Sequence, residues 1–282
     1  MLTNTGLATR FARNVHQLRS DMPLSEDEMS AAAPSIFASG KHESRSERYT
    51  YIPTIDVLRG LRREGFEPFM VAQGKSRIEG KTEYTKHMIR LRHASYVEKR
   101  QEANEIILIN SHDGASSYQM LAGIFRFVCC NGLVVGDVAN DIRVPHKGDV
   151  RDDVVQGAFR VLDDFERIDV SMHEMKSRSI SAAEQSAFAT AALELRYEPS
   201  SLGGHRPITP DQLLEVRRPE DTGSTVWHTF QRVQENLTRG GLSGKTSTGR
   251  RMHTRPIEAI DRSIALNRAL WILAEEMRRI LH

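Results

Sequence analysis

The sequence predicts an α+β protein: a mixed or antiparallel sheet core with helices, followed by a largely α-helical C-terminal region. Three observations carry this. His87-Met-Ile-Arg-Leu-Arg92 alternates in the period of two expected of a strand, so that Arg90 and Arg92 share one face. Ile106 to Ile109 is a short β-branched apolar run ending in polar residues, the pattern of a buried strand. From Ser171 onward, by contrast, apolar residues recur at helical spacing between recognisable caps.

Taken in order, residues 1–45 carry Pro23, Pro34 and an alanine run with weak periodicity, and are expected to form an N-terminal arm. Tyr49 to Ile52 reads as a strand, and Pro53-Thr54 opens a helix with apolar Ile55, Leu58 and Leu61 that ends at Gly65. Phe66 to Gln73 and His87 to Arg92 read as strands, with Ile106 to Ile109 pairing beside them. Leu133 to Val135 and Ile142 to Val144 continue the sheet. Between them, Tyr118, Leu121, Phe125 and Val128 fit one helical face, so a helix is expected from Ala115, stopped by Asn131-Gly132. Val150, Val154, Ala158, Val161, Phe165 and Ile168 form the next helical stripe. Ser181 with Glu184, and Thr209 with Gln212, have capping-box spacing. Trp227, Phe230, Val233 and Leu237 mark a helix that Gly240-Gly241 ends, and Pro256 is expected to begin the last one. The expected organisation is an arm over 1–45, an α+β core over 46–170 and a helical region over 171–282.

Composition excludes several classes. No apolar run approaches the ~20 residues of a membrane span, and the first residues lack the apolar stretch and cleavage site of a secretory signal. The two cysteines, Cys129 and Cys130, are adjacent and poorly placed to bridge each other, which points to a reduced, cytoplasmic setting. Charge is segregated along the chain. Eight bases face three acids from Val71 to Gln101, nine acids face five bases from Asp137 to Val170, and six bases face Glu235 alone from Thr222 to Arg255.

The polar turn Asn110-Ser-His-Asp113 is the densest chemical constellation. If a helix follows it, free backbone N–H groups would suit an anion there. Ser111, His112 and Asp113 cannot act as a hydrolase triad, because consecutive side chains diverge. No close pair of Cys or His has metal-ligand spacing, so neither a metal nor a cofactor is expected. Gly240-Gly-Leu-Ser-Gly-Lys-Thr246 is not a P-loop, since counting back from Gly244 reaches Arg239 where the motif needs glycine. What remains there is a flexible basic loop.

Asn110-Ser-His-Asp-Gly114, Phe125-Arg-Phe-Val-Cys-Cys-Asn-Gly-Leu133, His146-Lys-Gly148, Gln234-Glu-Asn236 and Arg239-Gly-Gly241 together resemble a bacterial family, the phage- and plasmid-borne "domain of unknown function 932". The resemblance spans Tyr49 to the C-terminus. It implies a setting on mobile elements, near DNA maintenance, and transfers no catalytic residue. The function expected is therefore binding of nucleic acid, single-stranded DNA above all, in recombination, annealing or replication. Backbone phosphates would be held by Lys75, Arg77, Lys86, Arg90, Arg92, Arg239, Lys245, Arg250, Arg251 and Arg255. Self-association into a homo-oligomer is compatible with that role. Two alternatives are a metal-dependent nuclease or phosphodiesterase using His112 and Asp113, and a protein-binding inhibitor of a host defence system using the acidic 137–170 segment.

Overall fold

Strand pairing in the N-terminal half follows from alternation along each strand. The computed structural model describes residues 15–40, 51–74, 80–94, 102–114, 116–127, 131–135, 141–145, 150–197 and 205–280. The chain divides into two units, Met1–Phe165 and Glu166–His282. The first holds β1 (Val15–Arg19), α1 (Glu26–Ala32), α2 (Thr54–Arg63), β2 (Phe66–Gly74), β3 (His87–His93), β4 (Glu102–Asn110), β5 (Tyr118–Arg126), β6 (Asn131–Val134), β7 (Ile142–Val144) and α3 (Val150–Asp163). β1 to β6 lie side by side in chain order, each antiparallel to the next, and β7 pairs with β5 as well. The α+β class holds, with the antiparallel form of the sheet.

Three local expectations change. Residues 118–126 form a strand, not a helix: Ile106 lies opposite Ala122 and Leu108 opposite Met120. Tyr118, Met120 and Ile124 are buried on one face of the sheet and Leu121 and Phe125 on the other. A strand covered on both sides is apolar at nearly every position, which hides its period of two. Asn131 and Gly132 accordingly lie in β6 rather than at a helix stop. The N-terminal arm also proves integral to the sheet, because β1 pairs with β2 from Val15 opposite Gly74 to Arg19 opposite Met70. Beyond β1, a capping box joins Ser25 to Glu28 and starts α1, and Leu24, Met29, Ala33 and Ile36 are buried. Finally, residues 51–53 are not a strand, while Tyr49 and Thr50 lie outside the described residues.

α2 buries Ile55, Val57, Leu58 and Leu61 and exposes Asp56, Arg59 and Arg63. α3 packs tightly against the sheet at Gly157, where an added Cβ would stand 2.2 Å from Met120 Cε and 3.0 Å from Ile142 Cγ2. Its stripe Val150, Val154, Ala158 and Val161 is buried as the spacing predicts. Val154→Ala should therefore cost about 2 kcal/mol, through lost apolar contact and the cavity left. Asp153→Asn on the exposed side should stay within about 0.5 kcal/mol. Urea titration of both variants checks the helical phase, and equal midpoint shifts would show it wrong.

The second unit carries α4 (Phe165–Ser177) beyond its first residue, α5 (Ala182–Arg196), α6 (Pro210–Leu214), α7 (Val226–Arg239), a two-stranded ribbon of β8 (Ser243–Lys245) and β9 (Arg251–His253), and α8 (Ile260–Ile280). Both predicted capping boxes, at Ser181 and Thr209, are formed. The last helix begins at Ile260, not Pro256, because the chain before it stays extended and Ile257 N–H donates to Thr238 O at 2.9 Å. No helix among the described residues is long and apolar enough to cross a membrane.

Candidate functional site

Three polar assemblies stand out, and solvent access separates them. The first surrounds the central turn. Loss of the helix after Ala115 removes the helix-start anion site expected there, and the turn instead links β4 to β5. Asn110, Ser111 and His112 are each 0 % exposed. They belong to a network centred on Thr54, the first residue of α2. Asn110 Nδ2 donates to Thr54 Oγ1 at 3.1 Å, and that oxygen also lies 2.9 Å from His87 Nε2 and 3.2 Å from His112 Nε2. His87 Nδ1 faces Ser35 Oγ at 2.9 Å and Thr85 O at 3.3 Å.

These contacts assign the protons. A carbonyl only accepts, so His87 Nδ1 carries the hydrogen and His87 Nε2 accepts from the Thr54 hydroxyl. With its one hydrogen used, Thr54 Oγ1 accepts from Asn110 and from His112 Nε2–H. Tyr118 OH donates elsewhere, to Ile52 O at 3.1 Å. Burial, and secondarily the neighbouring His112, lower the His87 pKa to about 3, so the ring is neutral at physiological pH. Ser111 Oγ accepts from Ser116 N at 2.8 Å, and Asp113 pairs with Lys81 at 3.6 Å across the turn. Every one of these groups therefore ties strands to α2 and to neighbouring loops. His112 is fully enclosed and bonded to Thr54, whereas Asp113 is partly exposed.

The second assembly corrects the reading of the sheet cations. Arg90 and Arg92 do share a face, but they are 4 % and 5 % exposed rather than solvated. Glu105 bridges them, 3.0 Å from Arg90 Nη1 and 2.9 Å from Arg92 Nη2. The Arg92 guanidinium also lies over Phe69, Phe125 and Phe127, at 4.3, 4.7 and 5.1 Å from their ring centres. These charges are spent inside the fold. Lys86 is half-buried and Lys75 and Arg77 lie outside the described residues.

The third assembly is the exposed one. The segment expected as a flexible loop forms the ribbon, with Lys245 directly opposite Arg251 and Ser243 opposite His253. Its three-residue turn ends on Gly249 at φ 80°, Gly249 N–H donates to Thr246 O at 2.9 Å, and Thr246 N–H donates to Arg250 O at 2.9 Å. That is a tight hairpin turn closed by a positive-φ glycine, and the spacing Lys-Thr-Ser-Thr-Gly-Arg was the available signal for a hairpin. Lys245, Arg250, Arg251 and Arg255 are exposed and have no acidic partner among the described residues. Arg239 differs, because it pairs with Glu235 at 3.0 Å alongside Arg218 at 2.8 Å.

The residues that hold the ribbon were not evident beforehand, since their partners are distant in sequence. Gly240, at φ 66°, lets α7 turn into the ribbon, and a Cβ there would stand 2.7 Å from the Arg255 carbonyl carbon. Arg196 staples the end of α7 to the ribbon exit, donating to Leu237 O and Arg255 O, both at 2.6 Å. Asn236 donates to Leu213 O and Glu215 O, and Gln234 donates to Asn267 Oδ1, so the Gln234-Glu-Asn236 motif is accounted for as scaffold.

A family model described as domain of unknown function (DUF932) matches residues 41–271. The chain belongs to that family. It is also 49% identical to the UPF0380 proteins YafZ and YfjQ of Escherichia coli (strain K12), over 273 residues covering 97% of this chain and 98% of each of theirs. The likeness thus takes in most of the N-terminal stretch that sequence reading placed outside it. No solved structure matches the chain.

Proposed function

We propose that the protein binds DNA through the basic ribbon between α7 and α8. The observation that carries this is the contrast between the two sets of cations: Arg90 and Arg92 are enclosed with Glu105, whereas Lys245, Arg250, Arg251 and Arg255 stand exposed on one small, well-braced element. Exposed cations of this kind neutralise backbone phosphates and release counterions. Thr246, Ser247 and Thr248 in the turn add hydroxyl and backbone donors of the sort that fix phosphate position. A role in recombination or replication of mobile elements, inside the cytoplasm, is part of the same proposal. It draws on the family resemblance rather than on the ribbon.

Changing Arg250 and Arg251 together to alanine should weaken DNA binding and reduce the slope of log affinity against log salt by about one to two. Each phosphate contact contributes roughly 0.7 on single strands and 0.9 on duplexes. Fluorescence anisotropy with labelled DNA over a salt series reads both quantities. A folded variant with an unchanged slope would remove the ribbon from the interface.

A further inference from the structure

Resting on the reading that the ribbon binds DNA, we infer that β8 and β9 form a rigid probe for the major groove of B-form duplex DNA. The alternating pleat puts Ser243, Lys245, Arg251 and His253 on one face, and all four are exposed. Gly244 and Met252 face the other way. There an added Cβ on Gly244 would stand 2.1 Å from Pro207 O, so the ribbon lies directly on the 205–208 segment.

Its outer edge is closed as well. Lys245 N–H donates to Pro207 O at 3.0 Å, His205 Nε2 donates to Lys245 O at 2.7 Å, and Gln212 Nε2 donates to Ser243 O at 2.8 Å. At the base, Gly241 N–H donates to Thr254 O and Thr254 N–H to Leu242 O, at 2.8 and 2.9 Å. An element of three-residue strands is thereby held on its back, one edge and its root. The cationic face and the tip are exposed.

That face is arranged at a cost to itself. Lys245 and Arg251 are directly opposite across the ladder, and like charges in that position disfavour a hairpin. An anionic groove placed over them reverses the sign of the effect. The dimensions also match. Two strands lie about 4.8 Å apart and three residues rise about 10 Å, whereas the major groove is about 12 Å wide and 8.5 Å deep. The minor groove, about 6 Å wide, is too narrow for a two-stranded ribbon with its side chains.

Single strands are favoured by a different construction, in which bases stack on aromatic rings. From Arg239 to Arg255 the chain contains no Phe, Tyr or Trp, and the one ring on the presented face is that of His253. A-form RNA presents a deep, narrow major groove that side chains do not read. The partner is therefore duplex DNA, met by a side-by-side lysine and arginine, the two side chains best suited to guanine O6 and N7 in the major groove.

The experiment uses the full chain and three labelled probes in anisotropy titrations: a short DNA duplex containing paired guanines, one of its strands alone, and an RNA duplex of the same sequence. The DNA duplex should bind about tenfold or more tightly than either other probe. Methylating its guanine N7 positions should remove most of that preference, and a minor-groove ligand should not compete. Lys245→Gln with Arg251→Gln, both at the surface, should abolish the preference while leaving weak, salt-sensitive binding through the remaining phosphate contacts. Gly244→Ala keeps every charge but pushes the ribbon off Pro207, and should lose the duplex preference while retaining weak, salt-sensitive binding. A melting curve shows that it is folded, and the Lys245/Arg251 pair carries the test if it is not.

If a single strand or RNA duplex binds as tightly as duplex DNA, and still depends on Lys245 and Arg251, the groove inference is overturned while DNA binding stands. Insensitivity to N7 methylation overturns it as well. If no probe binds, or the double variant binds like the parent, the proposed function falls with it.

Discussion

Replacing Glu105 by alanine is expected to destabilise the N-terminal unit by about 3–5 kcal/mol, the range found when one member of a buried ion pair is removed. The carboxylate is 1 % exposed and bridges Arg90 and Arg92, themselves 4 % and 5 % exposed. Without it, two guanidiniums remain enclosed in a sheet that holds Ile107, Leu121 and Phe125 nearby. Combining Glu105→Leu with Arg90→Met and Arg92→Met should recover much of the loss, because an apolar set of similar volume needs no desolvation. Recovery should be incomplete, since the contacts of Arg92 with Phe69, Phe125 and Phe127 go too. Urea unfolding followed by circular dichroism measures all three proteins. A Glu105→Ala midpoint close to the parent's would mean that these charges are compensated in some other way.

The second large effect concerns pH. His87 has its pKa lowered to about 3 in the folded protein, chiefly by burial and then by His112, whereas an unfolded histidine titrates near 6.5. Between those values the unfolded chain binds a proton that the folded one does not, so stability rises with pH across the window. Above about 6.5 the contribution is complete, and it is lost as pH falls towards 3. The slope approaches 1.4 kcal/mol per pH unit, roughly 2 to 3 kcal/mol between pH 6.5 and 4.5. His87→Gln, which retains a polar group near Thr54 but does not titrate, should be less stable at neutral pH and show a flatter profile in this window. A profile as steep as the parent's would assign the acid sensitivity to other groups.

These two predictions rest on partners that no local pattern specifies, and the same holds for the rest of the molecule. Period and capping chemistry made α2, β2, β3 and the helical second unit legible. The signals are local there: Ile55, Leu58 and Leu61 on one helical face, Glu184 three residues after Ser181, and Gly240-Gly241 after Leu237. The alternation in β3 also put Arg90 and Arg92 correctly on one face. It did not say whether that face met water or Glu105, since burial depends on what the chain brings to it from elsewhere.

Two further decisions belonged to the tertiary structure alone. The 118–126 run is apolar at successive positions, which hid its period of two and made it read as a helix, and the pairing of β4 with β5 decided otherwise. The 239–255 segment reads as a flexible loop until Pro207, His205, Gln212 and Arg196 converge on it from distant positions and fix it as a ribbon. By itself, then, the sequence determined most of the helical stripes and their caps and which residues carry charge. The tertiary structure decided which charges face water, because solvation is set by contacts between residues far apart in the chain.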